Sequence, residues 1–402
     1  MNLLPHQENS ISHLQNWVVG ALFMEAGTGK TRVACELIKS VKNVDAVLWV
    51  APLRTIKPKD GINSICEEIK KWDVPFPIKY VGVESISASD RIYLEILNFV
   101  KSASNPFIVV DESLKIKNIE AKRTKRLLFI GSNAKYKLIL NGTPLSKNLL
   151  DLWSQMEFLS PKILDMSYTQ FKNTFCDYTT VTKWDRGRKI VREWINGYEN
   201  IDYLYSLIRN YVFQCDLHLN VSQNFTEIKY CLNEFETEEY YSIKDYFLDV
   251  LKDGANGNLF LEMTQKMQHS YCCAEAKFDA VEELFKHIEQ SKTIIFCKYI
   301  DSRVACEARF PNAQVLSYQK ESLGLNLQQY NHTIYFDKIW DLSLRVQSSH
   351  RTFRTGQEYN CFYYDLTGNV GLENLIDQNI SKKVSMLEYF KKTTIEDLKE
   401  RL

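Results

Sequence analysis

The sequence predicts an α/β protein of two parallel-sheet lobes, the second abbreviated, with a mostly helical insert between them. Three observations predict it. Short β-branched runs alternate with helical stretches over the first ~165 residues, and the same rhythm returns from Lys277 onward. The 402 residues exceed what one core comfortably holds. A glycine-rich loop stands between the first expected strand and its helix, the place where a parallel sheet binds ligands.

Taken in order, the first lobe (1–165) has expected strands at 18–23, 46–51, 79–83, 107–110 and 137–140. Helices are expected after Lys30, near Gly61 and Asp90, and over 122–128. From 166 to 276 long amphipathic stretches carry many aromatics, including Tyr168, Phe171, Phe175, Tyr240 and Phe247, at spacings that fit buried helix faces. Within them the segment 179–194 reads as a basic hairpin turning on a glycine, with Arg186, Arg188 and Lys189 near its tip. The second lobe (277–402) has expected helices at 278–290, 301–310 and 343–354 and a C-terminal helix. Its expected strands lie at 293–297, 314–318, 333–336 and 361–365.

Composition narrows the class. Hydrophobic residues make up 45% and charged residues 25%, ordinary for a folded domain, and 50 basic residues balance 50 acidic ones. A zero net charge argues against binding nucleic acid by bulk charge, though a basic stripe on one face remains compatible with it. No apolar run approaches the ~18 residues of a membrane span and no secretory leader opens the chain, so a cytoplasmic protein is expected. The ten cysteines form no Cys-x-x-Cys pair and the seven histidines no zinc spacing, so reduced thiols and no structural metal are expected.

Three segments carry chemistry. Glu25-Ala-Gly-Thr-Gly-Lys-Thr31 follows an expected strand and opens an expected helix. There Gly27, Thr28 and Gly29 let backbone amides converge on phosphate oxygens, Lys30 pairs with the terminal phosphates, and Thr31 offers an oxygen to Mg²⁺. Asp111 and Glu112 end an apolar strand, where a carboxylate faces the ligand crevice. Asp111 suits the metal, and Glu112 suits orienting and deprotonating a water. Arg351 and Arg354, three apart on the expected helix, share a face and suit a transferring phosphate.

The order of these segments resembles the Swi/Snf-like ATPases, a branch of superfamily-two helicases. Asp111-Glu-Ser-Leu-Lys-Ile-Lys-Asn118 resembles their Asp-Glu-Ala-His-Arg-Ile-Lys-Asn box, and Leu140-Asn-Gly-Thr-Pro-Leu-Ser-Lys-Asn148 their Leu-Thr-Gly-Thr-Pro-Leu box. Ser322–Leu327, which contains Gly324, Phe336-Asp337 with Trp340, and Gln347-to-Gln357 resemble later boxes. Leu4-Pro-His-Gln7 resembles the opening one, whose Gln reads adenine. The resemblance implies two RecA-like lobes that close on ATP and Mg²⁺. Lys30, Thr31, Asp111 and Glu112 would come from the first lobe, and Gly324, Gln347, Arg351 and Arg354 from the second.

It also implies a motor that translocates on double-stranded DNA and remodels DNA or protein–DNA complexes, with a partner protein supplying the targeting. A strand-separating DNA or RNA helicase and a non-hydrolysing ATP- or DNA-binding module remain the alternatives. Candidate nucleic-acid contacts are Arg54, Lys57, Ser85, Lys117, Thr143, Arg186, Arg188 and Trp340, with Lys115 and the basic run 122–126 beside them. The chain departs from the family pattern at Ser113-Leu114, which replace Ala-His, at Met24 and His350, which replace aspartates, and in the second lobe, where about 16 residues separate Cys297 from Gln314.

Overall fold

The computed structural model describes residues 2–57, 64–142, 149–185, 188–217, 219–252, 257–318, 327–354 and 356–381. The chain divides into two compact units, Met1–Leu217 and His218–Leu402. Among the described residues no helix is long and apolar enough to cross a membrane.

Unit 1 is built on β1 (Val19–Met24), β2 (Ala46–Ala51), β3 (Ile78–Gly82), β4 (Pro106–Asp111) and β5 (Tyr136–Asn141). A hairpin of β6 (Cys176–Asp185) and β7 (Arg188–Tyr198) stands as its own antiparallel sheet, and β8 (Val212–Cys215) follows it. The main sheet runs β3-β2-β4-β5-β1-β8 with every pairing parallel. Strands β1 and β2 are apolar and buried along their whole length because both faces are covered. On one face Ala21, Phe23, Leu48, Val50, Ile108, Val110 and Ile139 pack with the helices Asp90–Ser102, Lys122–Gly131 and Trp153–Leu159. On the other, Leu22, Met24, Val47, Trp49, Val109 and Leu140 pack with the helix Lys30–Ser40.

Unit 2 repeats the architecture with β9 (Gln223–Tyr230), β10 (Thr293–Cys297), β11 (Gln314–Ser317), β12 (His332–Tyr335) and β13 (Cys361–Gly368). The order is β11-β10-β12-β13-β9, again all parallel. One core gathers Ile295, Ile334, Phe336 and Leu366 from the sheet region with Tyr240, Phe260, Met263 and Tyr271 from the helices Glu234–Lys252 and Gly257–Ser270 and the turn after them.

The region expected as a helical insert holds the helices Tyr168–Phe175, Ile201–Ile208, Glu234–Lys252 and Gly257–Ser270 and the expected hairpin. It also holds β8 and β9, which the sequence did not announce. Each completes one sheet, so the boundary between units falls at 217/218 inside that region. The expected helix near Gly61 begins later, at Ile65, where Ser64 caps it and Glu67 bonds back to the Ser64 amide. Residues 382–402, the place of the expected C-terminal helix, lie outside the described residues, which end in the helix Gly371–Ser381.

Candidate functional site

The phosphate loop leaves the C-terminal end of β1 and enters the helix Lys30–Ser40. Gly27 (φ 90°) and Gly29 (φ 84°) adopt the left-handed conformation that other residues avoid. A Cβ at Gly29 would stand 2.3 Å from Gln7 Nε2, so any side chain there would have to push that amide aside. Thr28 is buried and its hydroxyl donates to the Glu25 carbonyl at 2.7 Å, which closes the loop on itself. Lys30 folds back across it, donating to the carbonyls of Met24 (2.7 Å) and Glu25 (3.0 Å).

Strand register carries the acidic pair to the same end of the sheet. β5 lies between β1 and β4, with Phe23 beside Asn141 and Asp111 beside Leu140. Burial, reinforced by Glu112, pushes the Asp111 carboxyl up to about 7, against the pull of Lys30 and of the Glu112 amide that it accepts at 2.9 Å. A carboxyl held near neutrality by burial is a donor that a divalent cation would ionise. Glu112 is left-handed (φ 52°, ψ 53°), a conformation costing about 1–3 kcal/mol, and it turns the chain from β4 into the 3-10 helix Ser113–Ile116. Gly142 follows β5 beside the loop, where a Cβ would come within 3.9 Å of Lys30 Nζ.

Gln7 lies buried against the loop, and both ends of its amide are engaged. Nε2 donates to the Thr28 carbonyl at 3.0 Å, and Oε1 accepts the Leu4 amide at 3.1 Å. A primary amide retains one further donor and one further lone pair beyond these.

Sequence reasoning missed a buried pair behind the acidic box. Ser113, standing where the resembling family has Ala, donates its hydroxyl to Gln155 Oε1 at 2.6 Å. Gln155 Nε2 donates on to the Asp151 carbonyl at 2.8 Å, and the Asp151 carboxylate lies 3.8 Å from Lys117. Both Ser113 and Gln155 have 0% exposure, so their bond compensates two otherwise costly buried polar groups. Two polar residues far apart in sequence carry no signal of this pairing.

Of the nucleic-acid candidates, Arg54 and Lys57 are exposed in and just after the short helix Leu53–Ile56 that follows β2. Ser85 is half-buried in the helix Val83–Ala88 after β3, and Glu84 accepts the Leu53 amide at 2.9 Å, which holds these two helices together. Lys117 is half-buried on Asp151. In the basic run, Arg126 is engaged by the Ile86 carbonyl and Asp90, Lys122 by Asp90 and Lys125 by Glu120. Trp340 is a correction: at 9% exposure its ring packs into the unit 2 core. Thr143, Arg186 and Gly324 lie outside the described residues, as does the side chain of Arg188.

The arginine segment is a second correction. Gln347 lies in the helix Leu342–Ser349, but that helix stops before Arg351 and Arg354, which occupy the turns after it. Hydroxyls of Ser348 and Ser349 donate back to the carbonyls of Arg345 (2.7 Å) and Val346 (2.8 Å). The Ser349 carbonyl is shared by the Phe353 amide and the hydroxyls of Thr352 and Tyr363, while the Arg351 carbonyl takes the Leu327 amide. Back-bonding of this kind competes with the helical ladder and weakens it near its end. Arg345 anchors the helix to β13 through two bonds to Asp365 at 2.7 and 2.8 Å.

The family model described as the SNF2-related domain matches residues 80–306, more than half of the chain. The chain belongs to the SNF2-related domain family. The match takes in the Asp111–Glu112 box, whereas the phosphate loop rests on its own geometry. Relatives of this SNF2-related chain include an uncharacterised ATP-dependent helicase of Mycoplasma pneumoniae, 22% identical over 96% of the chain and 41% of the relative. Another is the ISWI chromatin-remodeling complex ATPase ISW1 of Saccharomyces cerevisiae, 22% identical over 96% of the chain and 40% of the relative. The chain thus spans about two fifths of the length of these relatives. A solved Sulfolobus solfataricus SWI2/SNF2 ATPase core in complex with dsDNA aligns over 100% of this chain and 97% of that one, at 18% identity and a TM-score of 0.42.

Proposed function

We propose that this SNF2-related chain is a nucleic-acid-dependent ATPase motor that translocates on double-stranded DNA and remodels DNA or protein–DNA complexes. The observation that carries the reading is the phosphate loop and the Asp111–Glu112 pair at one end of a parallel sheet, with β5 between their strands. The helicase and remodelling-ATPase names of the relatives support the same class.

In this reading the loop amides and Lys30 bind the ATP phosphates. Thr31 and Asp111 hold Mg²⁺, which supplies neutralisation of phosphate charge when bound. Glu112 orients the attacking water and accepts its proton, and Gln347, Arg351 and Arg354 stabilise the transferring phosphate. Arg54 and Lys57 follow β2, at the same end of the sheet as the loop, and are assigned to the DNA backbone.

The test is phosphate release measured with and without duplex DNA. Stimulation by duplex is expected, with Lys30→Ala and Glu112→Gln each lowering turnover by about 10²–10⁴-fold. Turnover unchanged in either variant, or indifferent to every nucleic acid, defeats the reading. Displacement of a third strand from a duplex without opening of a fork separates translocation from strand separation.

A further inference from the structure

Folding gathers three unlike metal-binding side chains in unit 2, away from the phosphate loop. His269 lies in the last turn of the helix Gly257–Ser270, and Cys272 follows one turn on, its amide donating to the His269 carbonyl at 3.1 Å. Asp301 stands in the first turn of the helix Ile300–Arg309. One donor atom from each lies within 4.8 Å of the other two, and His269 Nε2 stands 3.1 Å from Asp301 Oδ2. Cys272 is buried, whereas His269 and Asp301 are exposed, and His269 lines, with Gln265 and Tyr299, an open groove of about 410 Å³.

We infer that His269, Cys272 and Asp301 bind one zinc-class divalent cation, with solvent as the fourth ligand. A surface ion pair accounts for the imidazole and the carboxylate, and the thiol, buried and 3.8 Å from Cys273 Sγ, brings a third and softer donor to the same place. Tetrahedral zinc with arms of ~2.0–2.3 Å places its donors roughly 3.3–3.8 Å apart, and the three atoms reach that spacing by small side-chain rotations. A mixed N, S and O set suits zinc or cobalt and excludes the oxygen-only preference of Mg²⁺ and Ca²⁺. Binding forms a metal–sulfur bond and releases the Cys272 proton to solvent. The bound ion ties the end of one helix to the start of the other, so it stabilises unit 2 by mass action.

This site differs from the expectation of no structural metal because its third donor, Asp301, is 32 residues from His269 and outside any spaced motif. The test uses the full chain stripped by a chelator and titrated with Zn²⁺ against a chromogenic competitor, and separately with Co²⁺ by absorption. One metal per chain, a thiolate-to-cobalt charge-transfer band in the near ultraviolet and a zinc-dependent rise in Tm are expected. His269→Asn and Asp301→Asn, both at exposed positions, should each weaken binding by about tenfold or more, and the near-isosteric Cys272→Ser should abolish the band. Absence of stoichiometric binding at micromolar zinc, or a band and affinity that survive all three substitutions, overturns the site. None of these readouts involves ATP turnover, so failure here and failure of the motor reading are separate events.

Discussion

Asp111 and Asp337 occupy comparable places in the two units, Asp111 as the last residue of β4 and Asp337 two residues beyond β12, yet they are treated in opposite ways. Asp337 is saturated by its own chain: Lys277 Nζ bonds it at 2.6 Å with both partners 1% exposed, and the Lys298 amide and the Ser302 hydroxyl bond its other oxygen. Asp111 accepts the amide of its neighbour, and burial pushes its carboxyl up to about 7. A carboxylate whose charge is answered internally is a structural element. One whose charge is resisted by its surroundings is a candidate ligand for a cation.

The widest separation of the two should come from neutralising each. Asp337→Asn strands the buried Lys277 charge and is expected to cost about 3–5 kcal/mol in denaturant unfolding. Asp111→Asn should leave stability within about 1 kcal/mol of the parent while abolishing phosphate release. Equal stability losses in the two variants would erase the distinction.

Lys298 sharpens the comparison through pH. Burial pushes its ammonium down to about 8, partly offset by Asp337, while its Nζ donates to Gln268. Because the folded value lies below the ordinary 10.5, the unfolded chain binds more protons between pH 8 and 10.5, and this group's contribution makes stability rise with pH across that window. Cysteines such as the buried Cys35 and the half-buried Cys66, whose thiols desolvation raises, act in the opposite direction. The quantity to measure is therefore the difference in denaturant midpoint between the parent and Lys298→Met at pH 7.5 and pH 9.5. The variant is expected to gain about 1–3 kcal/mol on the parent at the lower pH and less at the higher. A gain independent of pH would remove Lys298 from the titrating groups.

The smallest expected effect concerns the bond behind Asp111. Ser113→Ala and Gln155→Leu should each cost about 1–3 kcal/mol, whereas the double variant should cost less than the sum by about 1 kcal/mol, since neither leaves a buried partner unmet. Strict additivity would mean that the 2.6 Å contact contributes nothing to holding the acidic turn.

How legible all this was in the sequence varied with the source of the signal. β2 and β10 were placed to the residue, because strands buried on both faces read as short unbroken apolar runs. β9 was not foreseen: Gln-Asn-Phe-Thr-Glu-Ile-Lys-Tyr is an edge strand with most of its side chains exposed, and its polar residues conceal it. The arginine helix expected over 343–354 stops at Ser349, and helical periodicity does not register the serine and threonine hydroxyls that compete for the carbonyls at its end.

The sequence by itself determined the two parallel sheets, the phosphate loop and the acidic pair, since each depends on local pattern: apolar runs, positive-φ glycines and a carboxylate at a strand end. Only the tertiary structure decided which charges are consumed and which remain for ligands. Pairing Lys277 with Asp337, Ser113 with Gln155, or His269 with Asp301 joins residues tens of positions apart. Such partners are set by strand order and helix packing, and no spacing within the chain encodes them.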